Sequence, residues 1–124
     1  MNYLTLTLLL VLGSTAFGQS IQSYIDEGIE HHDRGAFDDA VASYEKALAI
    51  DSKNELANYE IALTYYSMKK YEKAIDHASV TIKANGDNQI PAYILKGSVL
   101  DIMGKTDESI KLFLISATWQ EINN

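Results

Sequence analysis

The sequence predicts an all-α fold, in which antiparallel helical hairpins stack into an α-solenoid of about six helices. Apolar residues recur at helical spacing after the first twenty residues, as in Ala40 and Tyr44. Residue types also recur at intervals of 34 and then 35 positions, from Gly28 to Ala62 and from Ala62 to Gly97. A single hairpin cannot bury its apolar face, whereas stacked hairpins bury a continuous core.

The helix boundaries follow from the turns between the periodic segments. Gly35, Lys69 and Gly104 recur at the repeat interval and mark the turn inside each hairpin. The additional residue of the second interval falls in the loop at 85–88, and Pro91 suits the first turn of the next helix, where its missing N–H is not needed. We expect helices at 21–34, 37–50, 55–68, 71–84, 90–103 and 107–121, in repeats of about 21–54, 55–89 and 90–124.

Small residues predict where the two helices of each hairpin cross. Gly28, Ala62 and Gly97 form one column of the repeat. Side chains this small let two helices approach to the short end of the roughly 8–10 Å interaxial range. Aromatic residues recur in other columns, as at Tyr24, Phe37, Tyr44 and Phe113, and we expect such rings to fill the space beside the small residues.

These columns resemble those of the tetratricopeptide repeat (TPR) family. The segments AFDDAVASYEKALAIDSKN and KYEKAIDHASVTIKAN are similar to its second-helix pattern, and AYILKGSVLDIMG is similar to its first-helix pattern. The chain departs from the pattern at Asn58, where the family has a tryptophan-like residue, and at Thr106 and Ser109 of the third unit. The resemblance implies a right-handed TPR-like solenoid over 19–124 that binds proteins and catalyses nothing.

The first residues have the features of a secretory signal peptide. Residues 4–12 form an apolar stretch of the required length, and Ala16 and Gly18 place small residues where signal peptidase needs them. We expect residues 1–18 to be removed before Gln19, and the mature protein to act in the periplasm or outside the cell without a membrane attachment. The alternative is an uncleaved N-terminal membrane anchor, although the stretch is short for a span of roughly 20 residues.

Charge and composition exclude several classes of site. The net charge is −7, and residues 21–54 carry most of it, with eight acidic and three basic side chains. Nucleic acid is not an expected partner, because its phosphates require clustered lysine and arginine. The chain has no cysteine, which excludes disulfides, zinc–thiolate sites and cysteine nucleophiles.

The resemblance places a binding groove along the first helix of each hairpin. Here that groove is apolar and aromatic at its centre. Some TPR domains clamp a C-terminal carboxylate with lysine, arginine and asparagine, but the corresponding positions are apolar in this chain, so we do not expect that specificity. The alternative is that some of these side chains pack between helices. The predicted groove residues are Ile25, Ile29, His32, Tyr59, Leu63, Tyr66, Ile94, Ser98 and Asp101.

The last helix carries a second candidate surface, which we call the terminal face. A terminal repeat normally needs a polar outer side to stay soluble. Here Leu112, Ile115, Trp119 and Ile122 instead recur at 3–4–3 spacing. We expect this face to dock on a partner, most simply a second copy of the chain. The alternative is that Trp119 folds back against its own repeat.

The sequence offers no arrangement suited to catalysis or metal binding. Glu27, His31 and His32 come closest, but adjacent helical positions point about 100° apart. Glu27 with His31 supplies two ligands at most, where structural zinc needs four. We expect His31 at the hairpin crossing, His32 in the groove and His77 isolated. We also find no nucleophile motif and no phosphate-binding loop, so we expect no enzyme activity, no cofactor and no metal.

Together these features predict a non-catalytic protein–protein interaction module that acts as a scaffold or adaptor outside the cytoplasm. It would bind a peptide or protein through the apolar groove, the terminal face, or both. The alternative is a structural role, as a small self-associating or membrane-tethered scaffold or as an accessory subunit of a cell-envelope complex.

Overall fold

The computed structural model describes residues 20–124, and all of its regular structure is helical. The signal-peptide prediction concerns residues 1–18 and lies outside this range. The first helix, α1, covers residues 20–33 of the described chain. It is followed by α2 (Phe37–Ile50), α3 (Glu55–Ser67), α4 (Tyr71–Ala84), α5 (Gln89–Ile102) and α6 (Thr106–Asn123). The predicted all-α solenoid is confirmed, and the helix ends agree with the expected positions to within two residues.

The helices pack in the order in which they follow one another. Helix α3 packs on α4 and α5 on α6 within hairpins, while α2 packs on α3 and α4 on α5 between them. Helix α3 also contacts α5, so the first helices of successive hairpins are neighbours. Helix α6 packs on α5 and on no other helix from α2 to α5. One side of α6 is therefore left without a covering helix from this part of the chain.

The three hairpin turns share one geometry. Gly35 and Gly104 have φ angles of 75° and 78°, and Lys69 occupies the equivalent left-handed position with a φ of 60°. In each turn the residue after the left-handed position donates its backbone N–H to the carbonyl five residues earlier. This hydrogen bond caps the end of the first helix as a Schellman motif. These bonds join Ala36 to His31 at 2.9 Å, Lys70 to Tyr65 at 2.8 Å and Lys105 to Leu100 at 2.8 Å.

The predicted close crossings are present in the outer hairpins. Gly28 lies directly against the ring of Tyr44, and a Cβ atom there would collide with that ring. A Cβ atom at Gly97 would lie 2.8 Å from Cε1 of Phe113, again too close for an ordinary contact. In the middle hairpin, Ala62 is fully buried at the equivalent position. The small residues therefore allow the close approach for which the repeat pattern selects them.

The loop between α4 and α5 accommodates the additional residue of the second interval. Asn85 adopts a left-handed conformation with a φ of 57° and ends α4. The Glu55 carboxylate, at the start of α3, packs against Gly86 and accepts a hydrogen bond from the N–H of Asn88 at 2.6 Å. This contact holds the loop against the neighbouring hairpin, and Pro91 then lies in the first turn of α5, as expected.

None of the helices within residues 20–124 combines the length and the apolar composition that a membrane crossing requires.

Candidate interaction surfaces

A shallow groove lies between α3 and α5, the neighbouring first helices of the second and third hairpins. It has a volume of about 350 Å³, and all of its lining side chains are uncharged. Tyr66 and Ile94 are 37% and 40% exposed, so their apolar atoms are available to a partner. We call this surface the α3–α5 groove; its lining residues are Tyr59, Leu63, Tyr66, Pro91, Ile94, Leu95 and Ser98.

Five of the nine predicted groove residues meet in this groove, and the structure adds Pro91 and Leu95 to them. The repeat interval could have identified Pro91, because it lies 35 positions after Leu56, which occupies the same column in the second unit. Tyr59 is partly buried, and burial, with a smaller contribution from the Glu60 carboxylate, raises the pKa of its phenol. Its hydroxyl group is therefore neutral at physiological pH.

The first hairpin contributes less to the groove than predicted. Ile25 is 1% exposed and belongs to the core, so the expectation that it contacts a partner is wrong. It lies three residues before Gly28, which places it close to the side of α1 that packs on α2. Ile29 is half-buried and packs against the same core. Neither residue lines the α3–α5 groove.

His32 packs between helices and is not free in a groove. Its Nδ1 atom lies 2.8 Å from Oγ1 of Thr64 on α3, and its ring meets Phe37 edge to face at 5.2 Å. The Thr64 hydroxyl already donates its proton to the carbonyl of Glu60, so His32 must donate to the Thr64 oxygen. The predicted partner-binding role of His32 is thereby replaced by a contact between α1 and α3.

The last predicted groove residue, Asp101, is exposed near the C-terminal end of α5 and lies outside the α3–α5 groove. The hydroxyl group of Thr106 donates to its carboxylate at 3.4 Å, across the turn into α6. The position of Asp101 at the helix end suits this turn contact better than contact with a ligand centred on Ile94.

The terminal face forms an apolar depression of about 410 Å³ on α6. Trp119 is 49% exposed and Ile122 is 76% exposed, and no helix from α2 to α4 covers this side of α6. Leu114, which is 61% exposed, joins it and was missed because it lies outside the 3–4–3 spacing of the predicted terminal face. We call this surface the terminal patch; it is formed by Leu114, Ile115, Thr118, Trp119 and Ile122.

Leu112 does not belong to the terminal patch, and this part of the prediction is wrong. It is half-buried and lines a separate depression with Lys96 and Leu100 of α5. Ser109 and Ser116, three residues before and four residues after Leu112, are both buried. Helical spacing therefore places Leu112 on the same side of α6, toward the neighbouring helix of its own hairpin.

Trp119 connects the terminal patch to the α3–α5 groove. It borders a further depression of about 360 Å³, which it shares with Pro91 and Ile94 at the start of α5. Those two residues also line the α3–α5 groove. The α3–α5 groove and the terminal patch, which are predicted from the sequence as separate surfaces, therefore meet along one edge of the third hairpin.

His77 is not isolated, contrary to the expectation from the sequence. Its Nδ1 atom lies 2.9 Å from Oδ1 of the buried Asn58, and its ring stacks on Tyr65 at 5.7 Å. The Asn58 amide nitrogen donates to the carbonyls of Ser52 and Asn54, so Asn58 ties α3 to the preceding loop as well as to α4. Burial is the largest effect on His77 and lowers its pKa, despite the opposing influence of Asp76. This arrangement joins helices and needs no ligand.

The polar groups around Tyr44 also have structural explanations. The Tyr44 hydroxyl is buried and makes no hydrogen bond. The nearby Thr64 hydroxyl donates to Glu60 and accepts from His32, but it keeps a second lone pair. Burial, followed by the Glu60 carboxylate, raises the pKa of Tyr44. Burial and the charge of Asp33 likewise raise the pKa of Glu60.

No group of three or more histidine, aspartate or glutamate side chains within residues 20–124 is arranged to hold a metal ion. Glu27 and His31 form a pair at 3.7 Å between helical neighbours. His31 lies beside Arg34, whose guanidinium approaches its ring nitrogen at 3.5 Å.

Comparison with known proteins agrees with this architecture. Residues 28–69 match a family model described as a TPR repeat. Over 81 residues, the chain is 30% identical to a TPR repeat-containing protein of Methanocaldococcus jannaschii. This alignment covers 65% of the chain but only 14% of that relative's length.

Among solved structures, the crystal structure of MamA matches with a TM-score of 0.80 and 26% identity, over 84% of this chain and 60% of that one. The second TPR of Spaghetti (RPAP3), solved bound to an HSP90 peptide, matches with a TM-score of 0.75 and 25% identity, over 81% of this chain and 92% of that one. The chain therefore has the TPR-like α-solenoid fold, and its residues 28–69 carry a recognisable TPR repeat.

Proposed function

We propose that this protein is a non-catalytic interaction module whose α3–α5 groove binds an apolar segment of a partner protein. The observation that carries this proposal is the uncharged concave surface around Tyr59, Tyr66 and Ile94. Contiguous exposed apolar side chains in a concavity mark interaction sites more often than chance exposure does. The similarity to a TPR domain that was solved with a bound peptide supports the same class of function.

The composition of the groove defines the kind of segment that it suits. Its lining has no lysine or arginine that could pair with an acidic peptide or with a terminal carboxylate. Tyr59 and Tyr66 provide large, rigid apolar surfaces that also carry a hydroxyl group, a combination common in binding sites for apolar side chains. The partner segment is therefore apolar, and the binding differs in chemistry from recognition of an acidic chaperone tail.

We also propose that the protein acts outside the cytoplasm. The apolar stretch and the small residues before Gln19 favour export of the protein to the periplasm or beyond the cell. N-terminal sequencing of the protein recovered from its own cells should begin at Gln19. A chain that retains residues 1–18 in the membrane fraction would instead support the membrane-tethered alternative.

Site-specific photo-crosslinking tests the groove directly. A photoreactive phenylalanine analogue replaces Tyr66, and the same analogue at Lys83, exposed near the end of α4, serves as the matched control. We expect one partner to be crosslinked in an extract of the protein's own cell envelope from the Tyr66 position and not from the Lys83 position. Mass spectrometry of the adduct then identifies the partner and its contacting segment.

The affinity of that segment, made as a synthetic peptide, should depend on the tyrosines. The double substitution Tyr59→Ala with Tyr66→Ala removes two aromatic anchors, each worth about 1–2 kcal/mol or more in a typical interface, so binding should weaken at least about tenfold. Unchanged affinity, with the helical circular dichroism spectrum intact, would refute the groove as the binding site.

A further inference from the structure

Exposed apolar side chains are concentrated on α6. Most of the large apolar residues that are strongly exposed in the described chain belong to this one helix. Because α6 packs on α5 alone among α2 to α5, the side of α6 that faces away from α5 is uncovered. The large apolar residues of α6 that are exposed are Ile110, Phe113, Leu114, Ile115, Trp119 and Ile122.

The spacing on this side is that of a helix that pairs with another helix. Ile115 and Ile122 share one stripe of α6 with the polar Lys111 and Thr118, so polar and apolar side chains alternate in this seam at intervals of four, three and four residues. Leu114 lies next to that seam and is 61% exposed. A second helix that lies along the seam would cover the terminal patch.

A second copy of the chain offers one well-matched surface for this purpose. The outer side of α1, which a head-to-tail stack would use, exposes only polar and acidic side chains in its described part. These are Ser20, Gln22, Ser23, Asp26, Glu27, Glu30 and Asp33. Burying an apolar patch against them would desolvate the carboxylates of Asp26, Glu27, Glu30 and Asp33 without supplying any new polar contact. The terminal patch of the second copy is apolar, and pairing two identical patches around a two-fold axis gives a closed dimer.

Charge complementarity selects the orientation of the two helices. Lys111 and Glu121 are the only charged side chains between residues 110 and 124, and they lie at opposite ends of the terminal patch. In an antiparallel pair, Lys111 of each copy approaches Glu121 of the other, which gives two reciprocal ion pairs. A parallel pair would instead place like charges beside each other.

The terminal patch offers an apolar centre for a dimer interface. Leu114, Ile115, Trp119 and Ile122 are 61%, 44%, 49% and 76% exposed, so four large apolar side chains lie close together in solvent, as at many interaction sites. A standard interface buries about 800 Å² on each partner, of which roughly 56–65% is apolar. The terminal patch therefore supplies apolar side chains for the centre of such an interface.

We propose that the protein forms a two-fold symmetric dimer in which the two α6 helices pair antiparallel through their terminal patches, with Lys111 of each copy beside Glu121 of the other. The α3–α5 grooves are not needed for this contact and remain open to their partner.

The first test measures mass. The full chain is expressed with its own N-terminal segment, purified as the cell processes it, and studied by sedimentation equilibrium at low salt from low to high micromolar concentration. We expect a concentration-dependent dimer. Trp119→Glu should abolish it, whereas the control Tyr66→Glu, which introduces the same charge in the α3–α5 groove, should leave it unchanged. A protein that stays monomeric at every concentration, or a dimer that Trp119→Glu leaves intact, overturns the proposal.

The second test exchanges the charges. Lys111→Glu alone and Glu121→Lys alone should each weaken association roughly five- to tenfold, because two ion pairs become two like-charge contacts. The double variant should restore it. All of these side chains are exposed, so the helical circular dichroism spectra should be unchanged. A double variant that is weaker than both single variants overturns the antiparallel arrangement.

Discussion

Tyr44 and Phe113 occupy the same column of the repeat and pack on equivalent glycines, yet their surroundings differ. Tyr44 in the first hairpin is completely buried, whereas Phe113 in the third hairpin is 37% exposed. Helix α2, which carries Tyr44, is covered by α3, but no helix from α2 to α4 covers α6. The same local pattern therefore produces a core residue in one hairpin and a partly exposed residue in the other.

This difference shows how a solenoid converts a core position into an interaction surface. Each hairpin contributes an apolar side for the next hairpin to cover, because no hairpin buries its own surface completely. In the first two hairpins that side becomes part of the core. In the third it remains exposed as the terminal patch, and the continuity through Trp119 brings it close to the α3–α5 groove.

The largest expected difference in stability between the two hairpins comes from adding one methyl group at Gly28 or at Gly97. Gly28→Ala should lower the free energy of unfolding by about 2 kcal/mol, because the enclosed ring of Tyr44 cannot move away. Gly97→Ala should change it by less than about 1 kcal/mol, because the partly exposed ring of Phe113 can shift and alanine is the better helix former by about 1 kcal/mol. Urea unfolding monitored by circular dichroism measures both.

Equal losses for the two substitutions would contradict the interpretation that the following hairpin fixes the Tyr44 ring. Ala42→Gly, at an exposed position in the middle of α2, provides a control for helix propensity alone.

Removal of the Tyr44 hydroxyl group should have the next largest effect on the free energy of unfolding. It is buried without a hydrogen-bond partner, so Tyr44→Phe should leave stability unchanged or raise the free energy of unfolding by up to about 1 kcal/mol. The reverse change at the equivalent position, Phe113→Tyr, should be neutral because a hydroxyl there can reach water. A loss above about 1 kcal/mol for Tyr44→Phe would show that its hydroxyl is hydrogen-bonded in solution.

The turn of the middle hairpin has a lysine where the two outer turns have glycine, so a glycine at this position should stabilise the protein. Lys69 adopts a φ of 60°, where Gly35 and Gly104 stand in the other hairpins. Lys69→Gly removes the steric cost of a side chain in the left-handed region, and we expect stabilisation of roughly 0.5–1 kcal/mol in thermal unfolding. The neighbouring substitution Lys70→Gly removes a similar charge without this relief and should destabilise the protein slightly.

The smallest expected effect on stability comes from the protonation of His77, which occupies the same repeat column as Leu112. Burial lowers the pKa of His77, so the native state resists a proton that the unfolded chain accepts. Its contribution to stability is therefore intact above the ordinary histidine pKa of roughly 6.5 and is lost as the pH falls below it.

His77→Gln should remove this loss. We expect the difference in urea midpoint between the two proteins to narrow from pH 7.5 to pH 5.5. The raised pKa of Glu60 acts in the opposite direction, since its carboxylate destabilises the native state less as it gains a proton, but it is common to both proteins and cancels. A constant difference across this range would contradict a buried neutral His77.

Much of the architecture follows from the order of the residues alone. The spacing of apolar residues, the small column at Gly28, Ala62 and Gly97, and the turns at Gly35 and Gly104 specify the helices and their crossings. These are local properties, because helix periodicity and backbone freedom at a turn depend on residues only a few positions apart. The location of the additional residue at 85–88 was predictable for the same reason.

Which residues belong to the α3–α5 groove and to the terminal patch depends on how each helix is rotated about its own axis. Ile25 and Leu112 have the spacing of exposed residues, but one lies in the core and the other lies against α5. The contacts of His32 with Thr64 and of His77 with Asn58 join residues that are 32 and 19 positions apart, so no local pattern indicates them. A rotation of a few tens of degrees about a helix axis changes which side chain is covered, and packing against neighbouring hairpins sets that rotation.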